Sequence, residues 1–582
     1  MTVVPVVLLL LLEGMLRLFH FGYPTSFFVP AADGALVTNP KFGWQHLSRQ
    51  SASSPTPTRL AKVKAAGTKR VFVLGESAAA GTPDPAFSFS RMLELMLEQE
   101  FPGNRVEVVN AAMRGIDSHV VRQIAEECAE LSPDLFIVYM GNNDMIGLHS
   151  PAPGEASWYK RSSLIQFSHA IKRMKVSQFL EVGIRRVTPQ AKARRQEMEA
   201  LRQQCLAFDD PLRESAYRNY RDNLESIVRS GTRAGAKTMI CSVAVNLRDM
   251  PPLESLHRRD LSPAQLNEWS QHYEAGSKAE WNRQFDAALK SFRAAAQIDD
   301  HYAELLFRIA RCEEALGNVI AAQKYFSAAR DWDALQFRTD SRINGIARDV
   351  AARGGTNQIR FADLERAFAT SPLAPNGVPG EALFLEHVHF KSDGDYHLAR
   401  TLFPHVSTAL GFAARDQPPL SRDECAQRLA YTKVDEANVF SAIAQMTSKP
   451  PFLDQLEHGP RQARLNAQAR DALQSITAND LAQAEAVYRS ALARRPDDWM
   501  LHYNFARFFT ETGRHAASIP DFQWVTQRFP HERTFRLSLG LALLQTQHPN
   551  DAVAELKAAL KVDPDFTPAR QALASASAQA RY

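Results

Sequence analysis

Cysteine is scarce in this chain: five in 582 residues, at positions 128, 205, 241, 312 and 425. They are odd in number and never spaced as CxxC, which argues against a disulfide framework and against a cysteine-built zinc site. An excess of one charge is also missing. The 68 Lys and Arg against 64 Asp and Glu leave a formal net charge of +4, so the whole chain shows no strong electrostatic footprint for nucleic acid. Long apolar runs are lacking too. The only membrane candidate, Val3 to Leu12, falls short of the ~20 residues that span a bilayer, and extending it to Phe21 admits Glu13, Arg17 and His20. No basic n-region precedes it, as a signal peptide would have.

What is present describes a folded globular protein: 45% apolar and 23% charged residues, in a length that suggests roughly two to four domains. "SASSPTPTRL" (51–60) reads as a loop or linker. Five short apolar runs follow: "RVFVLG" (70–75), "RVEVVN" (105–110), "DLFIVYMG" (134–141), "KTMICSVAV" (237–245) and "IRFADL" (359–364). Their β-branched, nearly continuous apolar character suits parallel strands covered on both faces. Helical patterns lie between them, so the expectation is an α/β, three-layer doubly wound domain with a five-stranded parallel sheet.

The gap between the fourth and fifth runs is too long for one crossover, and a period fills it. Ala288, Phe292 and Ala295 recur as Ala322, Phe326 and Ala329, each 34 positions later. The C-terminal third repeats the spacing in Pro496, Pro530 and Pro564, in Ala484, Ser518 and Ala552, and in Tyr488, Phe522 and Leu556. Small and aromatic residues at this period resemble tetratricopeptide repeats, in which helix pairs stack. Residues 155–205 are basic, with Leu164, Ile165, Phe167, Ile171, Phe179 and Leu180 interleaved. This pattern fits a solvated helix over a cleft, or a helix on anionic lipid.

Chemistry gathers at the strand ends, where ligands sit in open α/β sheets. The first run stops at Gly75-Glu76-Ser77, the second at Asn110 and then Gly115, and the third at Gly141-Asn142-Asn143-Asp144. A glycine lets its N–H approach a substrate oxygen, and an asparagine adds a neutral donor; together these are parts of an oxyanion hole. Turn roles for Gly115 and for "GNND" are the structural alternative. Downstream, Glu386 and His389 stand three apart in "LFLEHVHFKSDGDYHLA", a spacing that lets a carboxylate orient an imidazole as general base. His387 is a rival base, Asp393 and Asp395 are rival carboxylates, and His397 reads as a packing or capping residue.

These four blocks, in this order, resemble the SGNH (GDSL-type) hydrolase superfamily over roughly residues 60–250 and 338–412. Gly75-Glu76-Ser77 matches the GDS-type block and Gly115 the glycine block. Gly141-Asn142-Asn143-Asp144 matches GxND, and Glu386-His387-Val388-His389 matches DxxH, with Glu replacing Asp in the first and last. The resemblance implies Ser77 as nucleophile, His389 as base, Glu386 as its orienting carboxylate, and Ser77, Gly115 and Asn143 as oxyanion donors. It implies a serine esterase or acyl hydrolase with no metal or organic cofactor, acting on an ester of unknown acyl length; the alternatives are an O-acyltransferase on a glycan and an inactive repeat scaffold.

The expected organisation is an apolar anchor or signal segment (1–28), a hydrolase domain in two parts (60–270 and 338–412) split by inserted repeats (271–337), a helical linker (413–459) and C-terminal repeats (460–582) that bind a protein partner. The resemblance is to a bacterial branch with a membrane segment. The expected place is therefore the inner membrane, with the catalytic domain outside the cytoplasm and Tyr23, Phe27 and Phe28 as interfacial aromatics.

Overall fold

The computed structural model describes residues 3–47, 49, 52–147, 149–150, 162–187, 205–207, 209–355, 358–413 and 418–580. Five strands form the central parallel sheet: β4 (Thr68–Gly75), β5 (Arg105–Asn110), β6 (Leu135–Tyr139), β7 (Lys237–Cys241) and β8 (Ile359–Ala362). Their spatial order is β5-β4-β6-β7-β8, so the chain reverses direction across the sheet between β4 and β6. Side chains of a strand alternate between faces, and β4 shows what that does here. Val71 and Val73 pack under helices Phe89–Glu100 and Ser392–Leu410. Phe72 and Leu74 pack on the opposite face, under Ser118–Ala129, Pro211–Arg233 and Ser341–Arg353. The result is a three-layer α/β/α domain with the β4/β6 switch point at its carboxyl edge, where such folds bind ligands.

Two features lie outside that core pattern. The short strands β1 (Phe28–Pro30), β2 (Leu36–Thr38) and β3 (Arg59–Leu60) make an antiparallel sheet. Phe27, Phe28, Leu36, Phe42 and Leu60 join the core on one face of the main sheet. This corrects the reading of Tyr23, Phe27 and Phe28 as interfacial aromatics. All three are buried, Phe27 completely at 0% exposure, because large aromatics gain more by packing against Phe42 and Trp44 than by facing solvent.

Between β7 and β8 run two helix pairs, Pro263–Trp281 with Phe285–Ile298 and Ala303–Ala315 with Val319–Asp331. The 34-residue series are their buried positions: Ala288, Phe292, Ala295, Ala322, Phe326 and Ala329 are all interior. After helix His458–Gln474, the C-terminal helices run in sequence from Ala478–Arg494 to Thr567–Gln579. The Pro496, Pro530 and Pro564 carbonyls each accept from the side chain six residues on, His502 Nε2 at 2.9 Å and Arg536 and Arg570 Nε at 2.8 Å. This array docks on the α/β domain through ion pairs of Arg495 with Glu94 (2.7 Å) and Glu98 (3.2 Å), and of Arg91 with Asp498.

The N-terminal helix Val3–Leu18 is 16 residues long, and among the described residues no helix is long and apolar enough to cross a membrane. It packs on helix Lys175–Val187, where the Glu13 carboxylate accepts from Val176 N at 2.9 Å. Val4, Leu8, Leu10 and Leu11 remain exposed, as do Phe167, Phe179 and Leu180 of the basic stretch. Parts of that stretch, 155–161 and 188–204, lie outside the described residues.

Candidate active site

β4 ends at Gly75 because β6 runs beside it: a Cβ there would strike the Tyr139 carbonyl oxygen. Ser77 then opens a four-residue helix, Ser77–Ala80, that closes at Gly81 in the left-handed region (φ +83°). Ser77 is half-buried, and its Oγ makes no hydrogen bond among the described residues. Asn110, at the end of β5, holds this turn by donating to Ala79 O at 2.9 Å and Ser90 Oγ at 3.0 Å.

Glu76 is a bracing residue. Its buried carboxyl accepts from Asn142 N at 2.9 Å and Gly141 N at 3.3 Å, tying the end of β4 to the end of β6. Burial and the nearby Asp144 push that carboxyl well above the usual range. Asp144 is pushed up to about 7, by burial and then by Asp117. A charge on either of the two buried carboxyls disfavours ionisation of the other.

Gly115 sits exposed with φ +71°, a backbone conformation that favours glycine. Asn143 Nδ2 donates one N–H to Ile116 O at 2.8 Å, leaving its second N–H. Asn142 points elsewhere, its Oδ1 accepting from Thr339 N (3.0 Å) and Oγ1 (2.8 Å).

The Glu386–His389 loop is the tightest part of the site. Glu386 Oε1 accepts from His389 N at 2.8 Å and lies 2.5 Å from His389 Nδ1; Oε2 accepts from His387 N at 2.6 Å. A carboxylate can only accept, so His389 Nδ1 carries the proton and Nε2 the lone pair. His389 is 5% exposed and its Nε2 has no hydrogen-bond partner. Burial and then the Arg114 charge push the imidazole down to about 3, so the ring is neutral at pH 7.

The rivals are otherwise engaged. His387 contacts Glu386 Oε2 and packs on Phe337 and Phe452. Asp395 accepts from Phe89 N at 2.8 Å, Asp393 pairs with Arg422 at 3.3 Å, and His397 reaches Ala367 O at 3.0 Å.

Two features were missed from sequence. Asn246, just past β7, holds the histidine loop through Nδ2 to Glu386 O at 2.9 Å and N to His387 O at 3.0 Å; its place after the fourth apolar run, like that of Asn110 after the second, was the available signal. Asp117, His149 and His169 form a chain, with 2.9 Å from Asp117 Oδ2 to His149 Nδ1 and 2.8 Å between the two Nε2 atoms. Burial opposes ionisation of Asp117, yet His149 holds its carboxyl well below the usual range. Residues so far apart in sequence leave no spacing to read. Among the described residues, Asp299, Asp300 and His301 are the only grouping with metal-ligand proximity, and Asp299 Oδ2 already takes His257 Nδ1 at 2.8 Å.

Comparison with known proteins agrees with the repeats. Residues 466–530 and 511–565 match the tetratricopeptide repeat family model. No curated protein matches the chain. Among solved structures, the chain is similar to a lipase/acylhydrolase from Enterococcus faecalis at 12% identity and a TM-score of 0.25, over 61% of this chain and 100% of that one. It is similar to the acetyl xylan esterase AlAXEase at 11% identity and a TM-score of 0.26, over 58% and 99%. A thermophilic tetratricopeptide repeat protein of Thermus thermophilus overlaps at 15% identity and a TM-score of 0.17, over 53% and 98%. Overlaps this slight carry no argument about activity, and the α/β/α architecture rests on the strand order and layering of this chain.

Proposed function

We propose that this chain is a serine-dependent ester hydrolase. The observation that carries the reading is the Glu386–His389 bond, which leaves a neutral imidazole with an unpartnered Nε2 on the same domain as Ser77. In the proposed reaction, Ser77 Oγ attacks the ester carbonyl carbon while its proton passes to His389 Nε2. The backbone N–H groups of Ser77 and Gly115 and the Asn143 side chain receive the oxyanion, each donor worth about 3 kcal/mol in the transition state. The C–O bond then breaks, the His389 proton leaves with the alcohol, and water repeats the sequence to release the acid. The test is hydrolysis of p-nitrophenyl acetate by the full chain, with Ser77→Ala and His389→Ala as controls. Turnover lost in both variants supports the reading; turnover unchanged in Ser77→Ala overturns it.

The repeats add a proposed protein partner, since such arrays present extended binding surfaces. The N-terminal helix adds a proposed membrane tether, supported by its exposed Leu8, Leu10 and Leu11 and by exposed Phe179 and Leu180 on the helix it packs against. At 1.5 Å per residue it is about 24 Å long, shorter than the ~30 Å hydrocarbon core.

A further inference from the structure

The repeat array does not stand clear of the α/β domain. Between them lies a cavity of about 420 Å³, within the roughly 300–1,000 Å³ of small-ligand sites. The α/β side supplies Gly81, Asp84 and Arg114, and the repeat side Trp499, Tyr503 and Glu532. Gly81 closes the helix that Ser77 opens, and Arg114 precedes Gly115, so the cavity borders the two segments that carry Ser77 and Gly115.

Its polar groups are unequally satisfied. Asp84 is shared by Asn504 Nδ2 at 3.3 Å and Arg507 Nη1 at 3.4 Å, and Arg533 pairs with Asp563. Arg114 is exposed and has no ion pair or side-chain hydrogen bond among the described residues. Glu532 is 7% exposed, and its carboxyl has no hydrogen bond among the described residues. Burial, opposed only by Arg533, pushes that carboxyl up to about 8, so it is neutral at pH 7. The cavity therefore holds one uncompensated charge, the Arg114 guanidinium. Glu532 also stands at the N-cap of helix Arg533–Gln545 without a side-chain capping bond, leaving first-turn N–H groups of a 13-residue helix at the cavity wall. Trp499 and Tyr503 add flat aromatic surface with planar amide and guanidinium groups beside it.

We propose that this cavity binds a carboxylate-bearing sugar of the ester substrate. Arg114 and the helix N-terminus take the carboxylate, Glu532 donates or accepts at a hydroxyl, and Trp499 and Tyr503 take the ring face. This rests on reading Ser77 as the nucleophile that attacks an ester on that sugar. It also makes the repeats part of the substrate site.

Binding can be measured without turnover. The full chain carrying Ser77→Ala is titrated calorimetrically with tetragalacturonate, with its fully methyl-esterified form and with inorganic phosphate. The expected result is binding of the acid sugar, weakened at least tenfold by methyl esterification and at least tenfold by Arg114→Gln or Trp499→Ala. Trp499→Phe keeps a ring in case the alanine variant fails to fold, and should retain most of the affinity. No binding at millimolar sugar overturns the proposal, as does equal binding of the methyl ester, an unaffected Arg114→Gln variant, or phosphate binding as tightly as the sugar. Sugar binding by a chain whose parent hydrolyses no ester would refute the hydrolase reading and leave the cavity assignment standing.

Discussion

Replacing Glu386 by Gln keeps the side chain's shape and changes what it can do. The native carboxylate takes His389 N (2.8 Å), His389 Nδ1 (2.5 Å) and His387 N (2.6 Å). An amide offers one acceptor oxygen and an NH2 that faces donors. With its oxygen on His387 N, the NH2 takes the Oε1 place, faces both His389 N and His389 Nδ1, and favours the tautomer with its proton on Nε2, the wrong one for a base. The imidazolium that forms in the transition state also loses its counter-ion. A hydrogen bond to a charged group is worth about 1.5–3 kcal/mol, and adding the tautomer cost gives about 3–5 kcal/mol, or about 10²- to 10⁴-fold in kcat. The assay is kcat on p-nitrophenyl acetate alongside thermal melting. One orphaned N–H costs about 1–3 kcal/mol of stability, so the variant should melt a few degrees lower and stay folded at 25 °C. A kcat within tenfold of the parent in a folded variant would refute the assignment of Glu386 as the positioning carboxylate.

Asn143→Ala removes one proposed oxyanion donor and should lower kcat about 10²- to 10³-fold with little change in KM; a change confined to KM would assign Asn143 to substrate binding. Glu532→Gln should separate from the parent with pH. The parent carboxyl has a folded value of about 8 against about 4.3 unfolded, so the stability it contributes is full below about 4.3 and lost as pH rises through about 8. The variant's melting temperature relative to the parent should therefore climb from pH 5 to pH 9, and a constant offset would show that the carboxyl is not held protonated. The parent should float with vesicles containing anionic lipid, and Leu8→Asp combined with Leu11→Asp should not; a parent that stays at the bottom of the gradient overturns the tether.

The five strands of the main sheet were legible because each is a short β-branched run, and a strand buried on both faces needs nothing subtler. The helix pairs were legible because stacking places the same small and aromatic positions, Ala288 and Phe292, Ala322 and Phe326, in the interior every 34 residues. The antiparallel sheet of β1–β3 was not. Its strands are two or three residues long, too short for alternation to register. Tyr23, Phe27 and Phe28 show the same limit, since an aromatic cluster reads alike whether it faces a bilayer or a core. At the site, the spacing of Glu386 and His389 was enough to expect the hydrogen bond that the structure has. The cavity was beyond reach, because it joins Asp84 and Arg114 to residues about 400 positions later in the chain.

On the proposed reading, Ser77 is an activated nucleophile. Incubating the full chain with a fluorophosphonate and mapping the adduct by peptide mass spectrometry tests it directly. The expected result is a single adduct on the peptide containing Ser77, absent in Ser77→Ala and strongly slowed in His389→Ala. No adduct in the folded parent, or one on another serine that persists in Ser77→Ala, would contradict it.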